Sequence, residues 1–211
     1  MGCDIHMYVE KINPNTKRWE KVGRKFFNFY IAGGMATDLM EVFGLTKDEA
    51  WDILFKWKKG EKPTNKTEEF IINNYIPKKM DTSDKHWYEV QGTGKYPYPY
   101  TDSPYDGRCY SLFGILAGVR DRSNPIIGNN IKGLPDDVSD DIKNMSDDWG
   151  VDGHSHNHFY LRELLESDYM KMSKEELREL GLDSYFFHTT IPQLQEIGDP
   201  DDIRIVFWFD N

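Results

Sequence analysis

Cysteine is almost missing from this 211-residue sequence, which has only Cys3 and Cys109. Two thiols without CxxC spacing supply neither a disulfide framework nor a zinc or dithiol motif, and they fit a reducing cytoplasm. No run of about 18 apolar residues occurs, so no membrane-spanning helix is expected, and no apolar signal segment precedes the first strand. Positive charge is also short: 26 Lys and Arg stand against 36 Asp and Glu, a formal net charge of -10. That balance repels phosphate backbones at long range and argues against binding bulk duplex nucleic acid. It leaves room for a small anion held by a few arginines. The Met-Gly-Cys start matches part of an acylation signal, but myristoylation calls for Ser or Thr at position 6, where this chain has His6.

What is present is globular in character. Hydrophobic residues make up 38% and aromatics 14% of the chain, enough to build a core, and a single domain over residues 1–211 is expected. Residues 2–12 alternate, with Cys3, Ile5, Met7 and Val9 on one face and Asp4, His6, Tyr8 and Glu10 on the other, the pattern of a half-buried strand. NPNTK reads as a turn and RWEKVG as the returning strand of a hairpin. Thr46 with Glu49 and Ser173 with Glu176 form capping boxes, and Thr190 with Gln193 has the same spacing. A helix is expected from Thr67, a strand at residues 86–91, a Tyr- and Pro-rich loop after Gly94, and a buried helix from about Tyr110 to Gly118. Ser139 is placed to cap a short acidic helix, and DGHSHNH reads as a loop entering a helix that carries Leu161, Leu164 and Leu165. The last segment, DDIRIVFWFDN, is strongly β-prone. Together these elements predict an α+β fold whose antiparallel sheet includes both terminal strands, with helices mainly on one face.

Functional groups concentrate in three places. Asp4 and His6 share a strand face, roughly 6.6 Å apart along the chain. His154 and His156 are two apart in an extended stretch, so both imidazoles can turn toward one ion. Asp4, His6, His154 and His156 are thus a candidate ligand set for a divalent ion (Zn, Mn or Mg), with Asp152 and His158 in reserve. Arg108, Arg120 and Arg122 lie where an anionic oxygen could be held bidentately, and Tyr98 and Tyr105, with Tyr96 and Tyr100, offer rings for a base to stack on. Arg120 and His156 are the candidate catalytic residues, Arg120 by offsetting charge in the transition state. Each group has a plainer alternative: histidines decorating a helix start, arginines pairing with the abundant carboxylates, tyrosines packing a Pro-rich lid. Strand alternation sets Cys3 and His6 on opposite faces, against a thiolate–imidazole pair. GTGKYP lacks the GKS or GKT of a phosphate-binding loop.

Four segments, MGCDIHMYVEK, YSLFGILAGVRDR, GLPDDVS and GHSHNHFYLREL, carry a wider resemblance. The chain resembles an uncharacterised bacteriophage protein family marked by MGCDIH, YxLFxxLAGVRxR, GLPxDVS and GHSHxxxxLxEL, over the N-terminus and roughly residues 110–165. The resemblance implies a small viral protein made in the cytoplasm of an infected bacterium, and it brings no activity with it. Two functional expectations follow. One is a metal-dependent hydrolase of a small phosphodiester or nucleotide, acting in counter-defence on a signal of bacterial immunity. The other is a non-enzymatic binding protein that sequesters such a nucleotide or a host protein. Homo-oligomers are compatible with both.

Overall fold

In the computed structural model, which describes residues 2–23, 26–83, 87–90, 92–120, 127 and 131–210, the first and last strands are hydrogen-bonded neighbours. The chain runs through β1 (Ile5–Ile12), β2 (Trp19–Lys21) and β3 (Phe26–Phe27) into helices α1 (Phe29–Phe43), α2 (Lys47–Lys59) and α3 (Lys66–Phe70). A π-helical turn at Ile71–Tyr75 leads to α4 (Ile76–Lys79) and then to short pieces, β4 (Met80–Asp81), α5 (Trp87–Val90), β5 (Tyr96–Pro97) and β6 (Tyr100–Thr101). Next come α6 (Tyr110–Ala117), α7 (Asp140–Asp147), β7 (His154–Tyr160) and α8 (Leu161–Glu166). The last elements are α9 (Lys174–Glu179), a second π-helical turn at Phe186–Thr190, α10 (Ile191–Gln195) and β8 (Ile203–Phe209).

These elements form two compact units, Met1–Phe26 with Asp102–Asn211, and Phe27–Thr101. The first is built on an antiparallel sheet of order β2-β1-β8-β7, so both terminal strands belong to it, as the alternation and the β-prone last segment indicate. Cys3, Ile5, Met7 and Val9 face inward and meet Ile203, Ile205, Phe207 and Phe209 of β8. Against that face pack Leu112 and Phe113 of α6, Leu161 and Leu164 of α8, Leu177 of α9, and Ile191 and Leu194 of α10. On the opposite face Val206 and Trp208 meet Ile142 of α7, so four of the five α-helices described in this unit share one side. The Phe27–Thr101 unit has its own core, in which Met35, Leu39, Ile53, Leu54, Ile71 and Ile76 interlock. The Thr46–Glu49 capping box is formed there, and Gly44 and Gly60 close α1 and α2 in the left-handed region at φ 66° and 65°.

Glu10, expected on the solvent face, is fully buried because it meets an arginine from the far end of the chain. Arg204 donates from Nε to Glu10 Oε2 (2.6 Å) and from Nη1 to Asp137 Oδ1 (2.7 Å), and its guanidinium lies 4.0 Å over the Trp19 ring. The other Glu10 oxygen accepts the Ser139 N–H (2.7 Å), and the Trp19 indole N–H donates to Asp137 (3.0 Å). The GLPDDVS segment is therefore bound to the sheet by charge. Burial raises the Asp137 carboxyl, but Arg204 more than offsets this and holds it below the usual carboxylate range.

Three local readings change. Trp87–Val90 is a helical turn, not a strand. Thr190 sits inside a π-helical turn and donates to the Pro104 carbonyl (3.1 Å), so it caps nothing. DGHSHNH is not a loop, since His154–Tyr160 forms the edge strand β7. That strand escapes an apolar-alternation test because the inward neighbour of Phe159 is Asn157. Asn157 is buried by donating to the Leu116 carbonyl (2.9 Å) and accepting the Lys132 N–H (2.8 Å). Helix α1, which no sequence signal singled out, starts at Asn28, whose side chain accepts from the Tyr30 and Ile31 N–H groups.

Candidate functional site

Alternation along β1 places Asp4 and His6 on one face, and the antiparallel partner β8 brings Asp210 beside them. The Asp4 N–H donates to Asp210 Oδ1 (2.9 Å), and His6 donates from Nε2 to Asp210 Oδ2 (3.3 Å). Burial pushes the Asp210 carboxyl up, but the Asp4 N–H and His6 outweigh it and leave it below its ordinary value. The Trp149 ring lies 4.1 Å from the His6 ring, fixing the imidazole from the side. A histidine whose one nitrogen is held by a carboxylate keeps its other nitrogen for proton transfer.

Two of the nominated arginines converge here. Arg108 clasps Asp4 through Nε (2.8 Å) and Nη2 (2.6 Å), and its guanidinium lies against Gly2, where an added Cβ would come within 3.1 Å of Nη1. The Arg108 side chain is still 52% exposed. Arg120, in the left-handed region at φ 65° just beyond α6, reaches the Gly2 carbonyl (3.4 Å). It also partly offsets the rise that burial imposes on the Cys3 thiol. The segment Gly2–His6 thus has two guanidiniums, two carboxylates and an imidazole around it, with Asp210 supplied by the opposite terminus.

The other histidines do not join this set. The β7–β8 register shifts between His154 and Asn157, and Ser155 takes φ 53°, so one extra residue is accommodated in a bulge. The bulge breaks the simple rule that residues two apart share a face. His154 stacks on Phe209 of the main core (6.2 Å), whereas His156 stacks on Trp208 of the opposite face (5.8 Å). Strand β8 also lies between β1 and β7, a separation of roughly 9.6 Å over two strand spacings. His6 and His156 do share a face, but the Trp208 indole stands between them, 5.9 Å from His6. Asp4, His6, His154 and His156 are therefore not one ligand set, and among the described residues no group of three or more His, Cys, Asp or Glu is placed to hold a metal ion.

The remaining nominated residues have structural partners. His156 shares a hydrogen bond with Ser146 Oγ of α7 (2.8 Å), and His158 donates from Nδ1 to the Gly133 carbonyl (2.8 Å). Tyr105 is no stacking surface: it is buried and donates to Asp183 (2.8 Å), and burial together with Asp183 raises its phenol far above the usual range. Tyr98 is half-buried and packs on Tyr100 (5.4 Å) in the Phe27–Thr101 unit. Asp152 is exposed in the turn after α7, and Arg122 lies outside the described residues. The sequence reading missed Asp210 and Trp149. Asp210 could have been found from the pairing of the two terminal strands, but Trp149 gives no sequence signal.

Burial lowers the pKa of His156, helped by the nearby His154, and burial lowers that of His158 as well. A histidine whose folded-state pKa is depressed contributes stability that is complete above the unfolded value of 6.5 and is lost as pH falls below it. The urea midpoint is therefore expected to drop between about pH 7.5 and 5, and a His156→Gln/His158→Gln variant is expected to flatten that slope. An unchanged slope in the double variant would mean that other groups set the acid limit.

No protein-family model, curated protein sequence or solved structure matches this chain.

Proposed function

We propose that the protein hydrolyses a small phosphodiester or nucleotide at the end of the sheet where β1 begins and β8 ends. The observation that carries this reading is the convergence of Arg108 and Arg120 on Gly2–Asp4, beside an imidazole already oriented by Asp210. In this reading the two guanidiniums hold the phosphoryl oxygens and offset their growing charge, and His6 takes the proton of the attacking water. The P–O bond to the leaving group breaks as the new one forms, and the departing oxygen is protonated from solvent. Acid–base chemistry by His6 replaces the metal-centred version, because the four expected metal ligands are split by β8 and by the bulge. A small anion suits a chain of net charge -10 better than a polymer does. In the bacteriophage setting suggested by the motifs, a nucleotide signal of bacterial immunity is the fitting ligand.

Sequestration without turnover is the second reading, and one contact favours it: Asp4 already occupies both Nε and Nη2 of Arg108, leaving Nη1 for a ligand. Incubation with a panel of linear and cyclic nucleotides, with and without added Mn²⁺, separates the two. Hydrolysis predicts product formation that falls by about 10²–10⁴-fold in His6→Asn with the thermal midpoint unchanged. Ligand recovered intact in stoichiometric amounts would replace hydrolysis with sequestration, and neither binding nor turnover would end both readings.

A further inference from the structure

The Phe27–Thr101 unit holds a cavity of about 900 Å³, at the upper end of the range for small-ligand sites. We infer that this cavity is a second binding site, for a planar aromatic anion of the nucleoside-monophosphate type. Three observations within the unit converge on that ligand.

The first is charge. Lys79 and Lys95 line the cavity, and among the described residues neither makes an ion pair with a carboxylate. Lys79 Nζ instead lies over the rings of Tyr75 (5.5 Å) and Tyr96 (6.0 Å), an arrangement that holds the ammonium in place without neutralising it. The one carboxylate among the described lining residues, Asp38, accepts hydrogen bonds from the hydroxyls of both Tyr75 (2.8 Å) and Tyr96. In a protein of net charge -10, this concavity is locally positive, with two cations against one phenol-capped anion.

The second is shape. Gly33 and Gly34 fall in the middle of α1, where glycine weakens a helix, and a Cβ built on either meets nothing within 4 Å. Packing does not require glycine at these positions. Their effect is to keep open the space on the cavity side of the helix, where a flat ring could approach the backbone. The third is the apolar lining: Phe29, Tyr30 (77% exposed) and Ile31, at the start of α1, supply surface against which a heteroaromatic ring is buried, in the same cavity as the ammonium groups that take its phosphate.

This site is independent of the His6 centre, and titration calorimetry of the full chain tests it with AMP, GMP, UMP, adenosine and inorganic phosphate as probes. At least one monophosphate is expected to bind, with adenosine and phosphate alone each at least about tenfold weaker, because ring and charge are both read. Lys79→Met and Lys95→Met should each weaken that binding and reduce its salt dependence. Gly33→Leu, which fills the space while favouring the helix, should abolish binding without lowering the thermal midpoint. Loss of binding in Gly33→Leu and Lys79→Met, both confined to the Phe27–Thr101 unit, distinguishes this cavity from the sheet-end site. Unchanged binding in Gly33→Leu, or no binding of any monophosphate at about 1 mM, would overturn the proposal.

Discussion

Arg204→Ala is expected to lower the unfolding free energy by about 3–5 kcal/mol, measured from urea midpoints at pH 7. Arg204 and Glu10 are both 0% exposed, so truncating the arginine leaves a carboxylate in the interior with, among the described residues, only the Ser139 N–H as partner. Asp137 loses its ion pair too, but its side chain is 65% exposed and water can replace the guanidinium. The cost therefore comes mainly from the stranded Glu10. Two further variants isolate that cause. Glu10→Leu/Arg204→Met removes both charges together and is expected to recover most of the loss, since a well-packed apolar pair can equal a buried ion pair. Arg204→Lys keeps the charge but not the fork that reaches Glu10 and Asp137 at once, and should fall between the extremes. A loss under about 1 kcal/mol in Arg204→Ala would show that the interior around Glu10 admits water.

Trp208→Ala is expected to cost a similar amount, about 3–5 kcal/mol, through the void it leaves beneath α7. The indole is fully buried against Ile142 and Val206, with His6 and His156 stacked on either side. Trp208→Phe should cost much less. It keeps most of the packing and removes an indole N–H that is buried without an acceptor among the described residues, so part of the lost volume is offset by relief of an unpaired donor. Urea titrations of the two variants should differ by at least about 2 kcal/mol. Equal losses would mean that the indole N–H stabilises the fold and is not an unpaired donor.

Much of the fold was legible because it rests on local rules. Alternation in residues 2–12 named the buried face of β1 residue by residue, and the Thr46 and Ser173 capping boxes marked two helix starts that the structure retains. The reading failed where a distant residue decides the outcome. Glu10 looked solvent-facing until Arg204, 194 positions later, supplied its counter-charge. Asn157 broke the pattern of β7 because its polar side chain is satisfied by the Leu116 carbonyl and the Lys132 N–H. The site was half legible for the same reason. Asp4, His6, Arg108 and Arg120 stand out in the sequence by their chemistry, and the fold brings them to the same end of the sheet. The assumption that His154 and His156 face the same way failed at Ser155, where one left-handed residue reverses the parity of the strand.

The strand order of the sheet sets a schedule for synthesis. β8 lies between β1 and β7 and forms both of the longest pairings, yet it is the last element in the sequence. When residues 2–23 and then α6 and β7 leave the ribosome, their apolar faces have no central partner until residue 209 emerges. The Phe27–Thr101 unit, being contiguous, has all its own partners once residue 101 is out. At elongation rates of about 5–20 residues per second, the roughly 200 residues between β1 and the end of β8 leave β1 with only β2 as a partner for about 10–40 seconds. During that interval the exposed Ile5, Met7 and Val9 edge is open to chaperones or to wrong pairing. A nascent chain stalled before Ile203 should therefore be protease-resistant over residues 27–101 and sensitive on both sides of it.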